Sequence, residues 1–402
     1  MRSIFVNFFS VFLLVLIFSH AKSNELEDEI RGNSELIIDT IKKNSSIMDA
    51  SQIEKIKLIF PNTLSFSHVG AFRESGEYKI SLNVGSYIRF VELSSALRLT
   101  FLGITGQDYL FGYIRYLAYA ELFGNTFMTA AQYAHHYDVK NIQDKLSTFS
   151  KAPNNLNKNL NDSVLFFVIA HEVGHIINGD TDSIASSLSE KKERERKADE
   201  WASDASLRAG LNPTPAVFSL LIFNEAEGRK GFLEGMNPHP ASMTRVVALL
   251  DNVNSYTATN RSKHPKANEI LEAVSTIKDM MVERANLQEK INKPDELKNS
   301  AKNGDRFSQL KVGERYLDDS DDFPHDAKKA TNWFEIAAFN KTKFDYVDQA
   351  AANYQAGFMY GFNQEMDKDV KRACFYLKKA AVEGYLMAIH ALKQLTAKPE
   401  CN

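Results

Sequence analysis

Cysteine is almost missing from this 402-residue chain: only Cys374 and Cys401 occur, both near the C-terminus. Two thiols make no disulfide framework, so core packing must hold the protein, although in an oxidising compartment the pair can tie down the tail. A basic excess is also lacking, with 48 Lys and Arg against 51 Asp and Glu and a net charge of −3. With no surplus of positive charge to hold a phosphate backbone, nucleic acid is not an expected partner. The chain further lacks an unbroken apolar run of the roughly 20 residues that a spanning helix needs. Ile4 to Phe18 is interrupted by Asn7 and Ser10, and the aromatic, leucine-rich stretch 96–137 carries Asp108, Arg115 and Glu121 with glycines at 103, 106, 112 and 124. That second stretch therefore predicts a buried helical pair. His135-His136 near its end are adjacent, point about 100° apart on a helix, and are expected at the surface.

What is present divides the chain into five parts. Arg2, the apolar Ile4–Phe18 and the small residues of Ser19-His20-Ala21 have the layout of a cleaved secretory signal over residues 1–21. An uncleaved membrane anchor is the alternative. Residues 22–60 are charged and helix-prone, closed by Pro61. In 61–252, "GEYKISLNVGSYIRFVEL" contains a Ser75-Gly76 turn and alternation at Tyr78, Ile80 and Leu82, so a strand or hairpin is expected before a helix from about Ser86. Residues 253–300 are polar and predict a linker with one helix around Asn268–Ile291. Over 301–396 the chain repeats itself: Gly313 and Tyr316 fall on Gly357 and Tyr360, and Ala330, Trp333, Ala337 and Ala338 on Ala373, Tyr376, Ala380 and Ala381. Small residues at fixed helical positions with aromatics between them let helix pairs stack, as in an α-solenoid. The expected fold class is mainly α: an α+β domain with a small β-sheet, followed by that solenoid.

The chemistry concentrates in "SVLFFVIAHEVGHIIN". Asp162 or Ser163 is a suitable N-cap and Gly179 a natural terminator. On one helix His171 and His175 lie a turn apart and can aim two imidazole nitrogens at one ion, with Glu172 one step round, beside the ion but not on it. A five-residue match can arise by chance, so its context decides. Downstream, Ser187-x-x-Glu190 opens a second helix that ends at Gly210. Within it Glu195, Ala198, Asp199 and Ala202 share one face, which suits close packing against the first helix with Glu195 reaching the ion. Asp199 can then fix the tautomer of a ligand histidine. Glu200 and Asp204 repeat the same spacing and form the rival pair.

HEVGH followed by Glu195-Arg-Lys-Ala-Asp199 resembles the gluzincin metallopeptidases, and in pattern the HtpX/CAAX-prenyl-protease group. That group also shows a later His-Pro with an arginine beyond it, supplied here by His239, Pro240 and Arg245 of "NPHPASMTR". The resemblance covers about residues 60–250 and implies a zincin-like fold. It implies one zinc ion held by His171, His175 and Glu195, with Glu172 as general base in peptide-bond hydrolysis. His239 and Arg245 are implied near the metal or the developing oxyanion. Only 20 residues separate His175 from Glu195, shorter than in membrane members of the group. The C-terminal segment resembles Sel-one-like, tetratricopeptide-type repeats, which implies a surface that recruits protein substrate or a partner. From the resemblance the expected compartment is the periplasm, with secretion or membrane association through an uncleaved N-terminus as alternatives. A scaffold or chaperone with an inactive metal fold is the rival function.

Overall fold

The computed structural model describes residues 26–61, 69–123, 128–137, 139, 142, 155–185, 187–227, 243–262, 266–318, 320–395 and 401. Helix α1 (26–43) and α2 (Ile47–Ile53) lead into three short strands, β1 (Lys57–Ile59), β2 (Val69–Glu74) and β3 (Glu77–Leu82). Strands β2 and β3 form the hairpin expected around Ser75-Gly76. Both turn residues take positive φ, 53° and 84°, which is what a two-residue hairpin turn demands. Strand β1 joins β3 in parallel, giving the order β1-β3-β2.

Among the described residues seven α-helices follow: α3 (Val84–Phe101), α4 (Gln107–Ala118), α5 (Ala130–His136), α6 (Asn155–Ile177), α7 (Leu188–Arg208), α8 (Val217–Glu227) and α9 (Met243–Thr259). Asn83 caps α3 by accepting a hydrogen bond from Ser86 N at 2.7 Å, so the helix starts at Val84, two residues earlier than the pattern suggested. His135 and His136 are exposed at the end of α5. Helix α6 is the axis of this part; it starts at Asn155 and runs through Asp162 and Ser163, upstream of the N-cap expected there. Every side chain from Val164 to Ile176 is buried, because α3, α7 and the β2–β3 hairpin pack around it. A helix apolar on all sides belongs in a core. His171, Glu172 and His175 are the polar side chains in that buried stretch, and polar groups in such a place need a chemical reason.

The helix expected around Asn268–Ile291 is present. Helix α10 (Ala267–Asn292) packs on α9 and buries Ile270, Val274, Ile277 and Met281 along one stripe. Pro294 both ends α10 and opens α11 (Pro294–Lys302), where its missing N–H costs nothing. The stack continues through α12 (Arg306–Asp318), α13 (Ala327–Phe339), α14 (Tyr346–Phe362), α15 (Val370–Val382) and α16 (Leu386–Leu395).

The pairs α12–α13 and α14–α15 are equivalent in detail. A Cβ on Gly313 would meet the Phe334 ring at 2.5 Å, and one on Gly357 would meet Leu377 Cγ at 2.7 Å. Asp326 caps α13 by accepting from Lys329 N, as Asp369 caps α15 by accepting from Arg372 N, both at 2.9 Å. The backbone N–H groups of Asp326 and Asp369 donate in turn to Tyr316 O and Tyr360 O. Cys374 and Cys401 form a disulfide across 27 residues, tying the tail to α15.

The array docks on the first part of the protein. Tyr109, Tyr113, Tyr116 and Tyr133 pack with Phe344 and Tyr346 in one aromatic cluster. Gly112 lets α4 touch the incoming loop, since a Cβ there would lie 1.8 Å from Phe344 O. Tyr133 Oη donates to the same carbonyl at 2.9 Å. Phe344 takes φ +60°, unusual for a bulky residue, at the point where its carbonyl is held from two sides. The whole is mainly α with one small sheet.

Candidate metal centre

Helices α6 and α7 approach closely at Gly174. A Cβ at that position would lie 3.1 Å from both Cα and O of Ala198 and 3.3 Å from Trp201 Cβ. This small-on-small contact brings Glu195, one turn before Ala198, against the two histidines of α6. His171 Nε2 and His175 Nε2 lie 3.1 Å apart. Glu195 Oε2 is 3.3 Å from the first and Oε1 is 3.4 Å from the second. All three residues are buried, at 6, 7 and 4% exposure. They form a buried group that can hold a metal ion, with one ligand atom from each within 4.8 Å of the others.

The far side of each imidazole faces a carboxylate. His171 Nδ1 lies 2.9 Å from Asp199 Oδ1, and His175 Nδ1 lies 2.9 Å from Asp180 Oδ2. A carboxylate accepts, so each Nδ1 carries the proton and each Nε2 turns its lone pair inward. Two lone pairs and a carboxylate then converge with no donor of their own between them. Such an arrangement is favourable only around a cation, whether protons or a metal. Burial pulls the His175 pKa down, but hydrogen bonds to Asp180 and Glu195 outweigh it and push the ring up to about 10. His171 is raised in the same way, against burial, by Asp199 and Glu195. Burial works to raise Asp199, and the Arg245 charge with His171 overrides it and holds the carboxyl below its usual range.

Arg245, on α9, is 6% exposed. Its Nε and Nη2 donate to Asp199 at 2.9 Å each, and Nη1 sits 3.0 Å from Glu195 Oε2. The guanidinium thus binds one candidate ligand, Glu195, and the carboxylate behind His171, Asp199. Glu172 is 2% exposed beside His171. A cavity of about 20 Å³ adjoins both, lined also by Val69, Phe167 and Arg245, which is roughly the room one water needs. His239 lies outside the described residues. The rival pair does not reach the site: Glu200 is bonded to Arg196 on the outer face of α7, and Asp204 lies a turn beyond it on the same helix.

Asp180 escaped the sequence-based argument. Gly179 ends α6 in the left-handed region, with φ 75°, and turns the chain so that Asp180 folds back under His175. Arg194 holds the turn, donating to Asp180 O at 2.9 Å and to Ser183 O at 2.7 Å. The available signal was a carboxylate directly after the terminating glycine. The hairpin also grips this turn, through Arg73 to Asp182 at 2.8 Å. Compared with known proteins, the chain matches no family model, no curated protein and no solved structure.

Proposed function

We propose that the protein is a zinc-dependent endopeptidase, and that the inward convergence of His171 Nε2, His175 Nε2 and Glu195 is the observation that carries this reading. Their separations of 3.1 to 3.4 Å are close to the edge of about 3.3 Å in a tetrahedron with bonds of roughly 2.0–2.1 Å, the geometry zinc prefers with nitrogen and oxygen ligands. Three protein ligands leave a fourth position open, the mark of a catalytic rather than a structural site. When bound, zinc would supply Lewis-acid chemistry, polarising a carbonyl and making a water acidic near neutral pH.

The protein's own groups do the rest. Glu172, buried beside the water-sized cavity, accepts a proton from a water on one of its carboxylate oxygens and returns it to the leaving amine nitrogen. Asp199 and Asp180 keep both imidazoles in the tautomer that presents Nε2, and Arg245 keeps Asp199 ionised and aligns it with Glu195. A purely structural ion has no use for Glu172, which weighs against the inactive-scaffold alternative. In the same reading the helical array recruits protein substrate or a partner, and the N-terminal segment directs export, to the periplasm by resemblance.

The test is metal analysis together with cleavage of an unfolded polypeptide by the wild type, Glu172→Gln and His175→Ala. Glu172→Gln should keep one zinc per chain and lose at least about a hundredfold in rate, the lower range for a general base. His175→Ala should lose both. A wild-type chain that carries zinc yet cleaves no faster than Glu172→Gln would sink the enzyme reading and leave the scaffold.

A further inference from the structure

The array carries a surface that the metal site does not use. Between α13 and α15 lies a groove of about 990 Å³ whose floor is Ile336, Phe339, Phe375 and Tyr376. Ile336, Phe339 and Phe375 remain 47, 57 and 47% exposed, an unusual cluster for a monomer surface. The two phenylalanines are adjacent, with ring centroids 6.4 Å apart. A second recess of about 660 Å³ adjoins the groove, and Asn332 and Arg372 line both, so the two form one channel.

The charges along the channel are uneven. Lys328, Lys368, Lys371 and Arg372 border the recess, and Lys379 Nζ stands over both Phe339 and Phe375, 4.7 and 4.4 Å from their centroids. Most nearby acids are already engaged. Glu335 accepts from Tyr376 Oη at 2.7 Å, Asp369 caps α15, and Asp326 caps α13 and pairs with Lys329. Arg372 is shared with Asp369 at 3.7 Å and Glu335 at 4.0 Å, so Lys328, Lys368, Lys371, Arg372 and Lys379 face the carboxylates of Glu335, Asp367 and Asp369 with positive charge in excess. Asn332 projects from the wall with an exposed amide, a group whose donor and acceptor match those of a peptide bond.

From this combination we propose that the channel between α13 and α15 binds an extended acidic polypeptide segment carrying large apolar side chains. Apolar side chains cover Phe339, Phe375 and Ile336, carboxylates meet the lysines, and the backbone pairs with Asn332. A nucleic acid fits less well, because the apolar floor bears only Lys379 and the chain as a whole is at −3. The proposal deepens the reading that the helical array recruits a protein, and is independent of the peptidase chemistry.

It is tested on the full-length Glu172→Gln chain, which separates binding from any cleavage. Fluorescence anisotropy would use three fluorescein-labelled probes: a peptide of about twelve residues alternating Glu or Asp with Leu or Phe, its Lys/Arg charge reversal, and a single-stranded oligonucleotide of similar length. The acidic peptide should saturate and bind at least about tenfold tighter than the reversal, and weaken as salt rises. Phe375→Ser and Lys379→Glu should each weaken it by about tenfold or more, while unfolding temperature stays near wild type, since Phe375 is half exposed. Lys379→Glu keeps the test open if Phe375→Ser misfolds. Saturation absent up to about 1 mM, equal binding of the reversed peptide, or tighter binding of the oligonucleotide overturns the proposal. So does a homodimer in sedimentation velocity that disappears with Lys379→Glu, since the occupant is then a second copy.

Discussion

Two buried clusters of charge can be set side by side. At the metal centre, Glu195, Asp199 and Asp180 surround two histidines, with Arg245 bound to Glu195 and Asp199. At the junction of the first part with the helical array, Arg115 bridges Glu225 and Asp348, and Arg306 pairs with Asp345 and donates to Asn340 O. Asp348 and Arg306 are as deeply buried as the ligands, at 0 and 1% exposure. The difference lies in where the guanidinium sits. In the junction it stands between the carboxylates and fills the position a cation would take. In the metal centre Arg245 binds Asp199 and Glu195 Oε2 from one side, and the Nε2 atoms of His171 and His175 still face each other at 3.1 Å. Burial and charge count alone do not make a metal site; the placement of the permanent cation does.

Removing either arginine should give the largest effects. Arg245→Met and Arg115→Met each strand buried carboxylates, at a cost of about 3–5 kcal/mol in denaturant unfolding. The comparison requires that they differ in metal affinity. Arg245→Met should weaken zinc binding about 10–100-fold, as loss of a group that orients ligands does, whereas Arg115→Met should leave it unchanged. Equal losses in a competitive chelator titration would mean that the two clusters are coupled.

A smaller effect follows from metal linkage. Zinc at about a hundred times its Kd should stabilise the wild type by about 2.7 kcal/mol over the chelated protein. Glu172→Gln should show the same gain and Glu195→Ala almost none, read by chemical denaturation with and without chelator. A full gain in Glu195→Ala would remove this residue from the ligand set.

The smallest effect sharpens the junction half of the comparison. Burial raises Asp345 and Glu383, each to about 7, against the opposing pull of Arg306. A carboxyl raised in the folded state favours folding while it stays protonated there. Its contribution is complete below the unfolded value of about 4, shrinks as pH rises, and is gone above about 7. The unfolding temperature should therefore fall between pH 5 and pH 8, by an amount on the order of a few degrees. Asp345→Asn combined with Glu383→Gln should flatten that profile. A profile unchanged by the double variant would place the pH dependence elsewhere.

Much of the candidate site was legible because its parts are local. Two histidines four residues apart in an apolar helix must share a face, and Glu195, Ala198, Asp199 and Ala202 must share another. The equivalence of the helix pairs was legible too, since Gly313 and Gly357 mark the same close contact. Three features were not. Asp180 depends on a backbone turn at Gly179, and the turn's direction comes from Arg194 on another helix. Arg245 reaches Asp199 across 46 residues, and nothing in "NPHPASMTR" distinguishes a guanidinium aimed at a substrate from one aimed at a carboxylate. The polar composition of 253–300 concealed a packed stripe of one residue every three or four.

What the chain alone determined is therefore short-range: the glycine-marked ends of α6 and α7, the faces of those helices, the repeat period, and which side chains lie a turn apart. Hydrogen bonds between residues four apart and the 3.6-residue period set these, and both act within a few residues. The tertiary structure decided which face meets which. It closed α6 on α7 through Gly174 and Ala198, and seated the array on α4 through Gly112 and Phe344. It also turned Arg245 inward while leaving Phe339 and Phe375 in solvent. Those choices follow from packing among residues far apart in the chain, where the fit of surfaces and the burial of charge outweigh local preference.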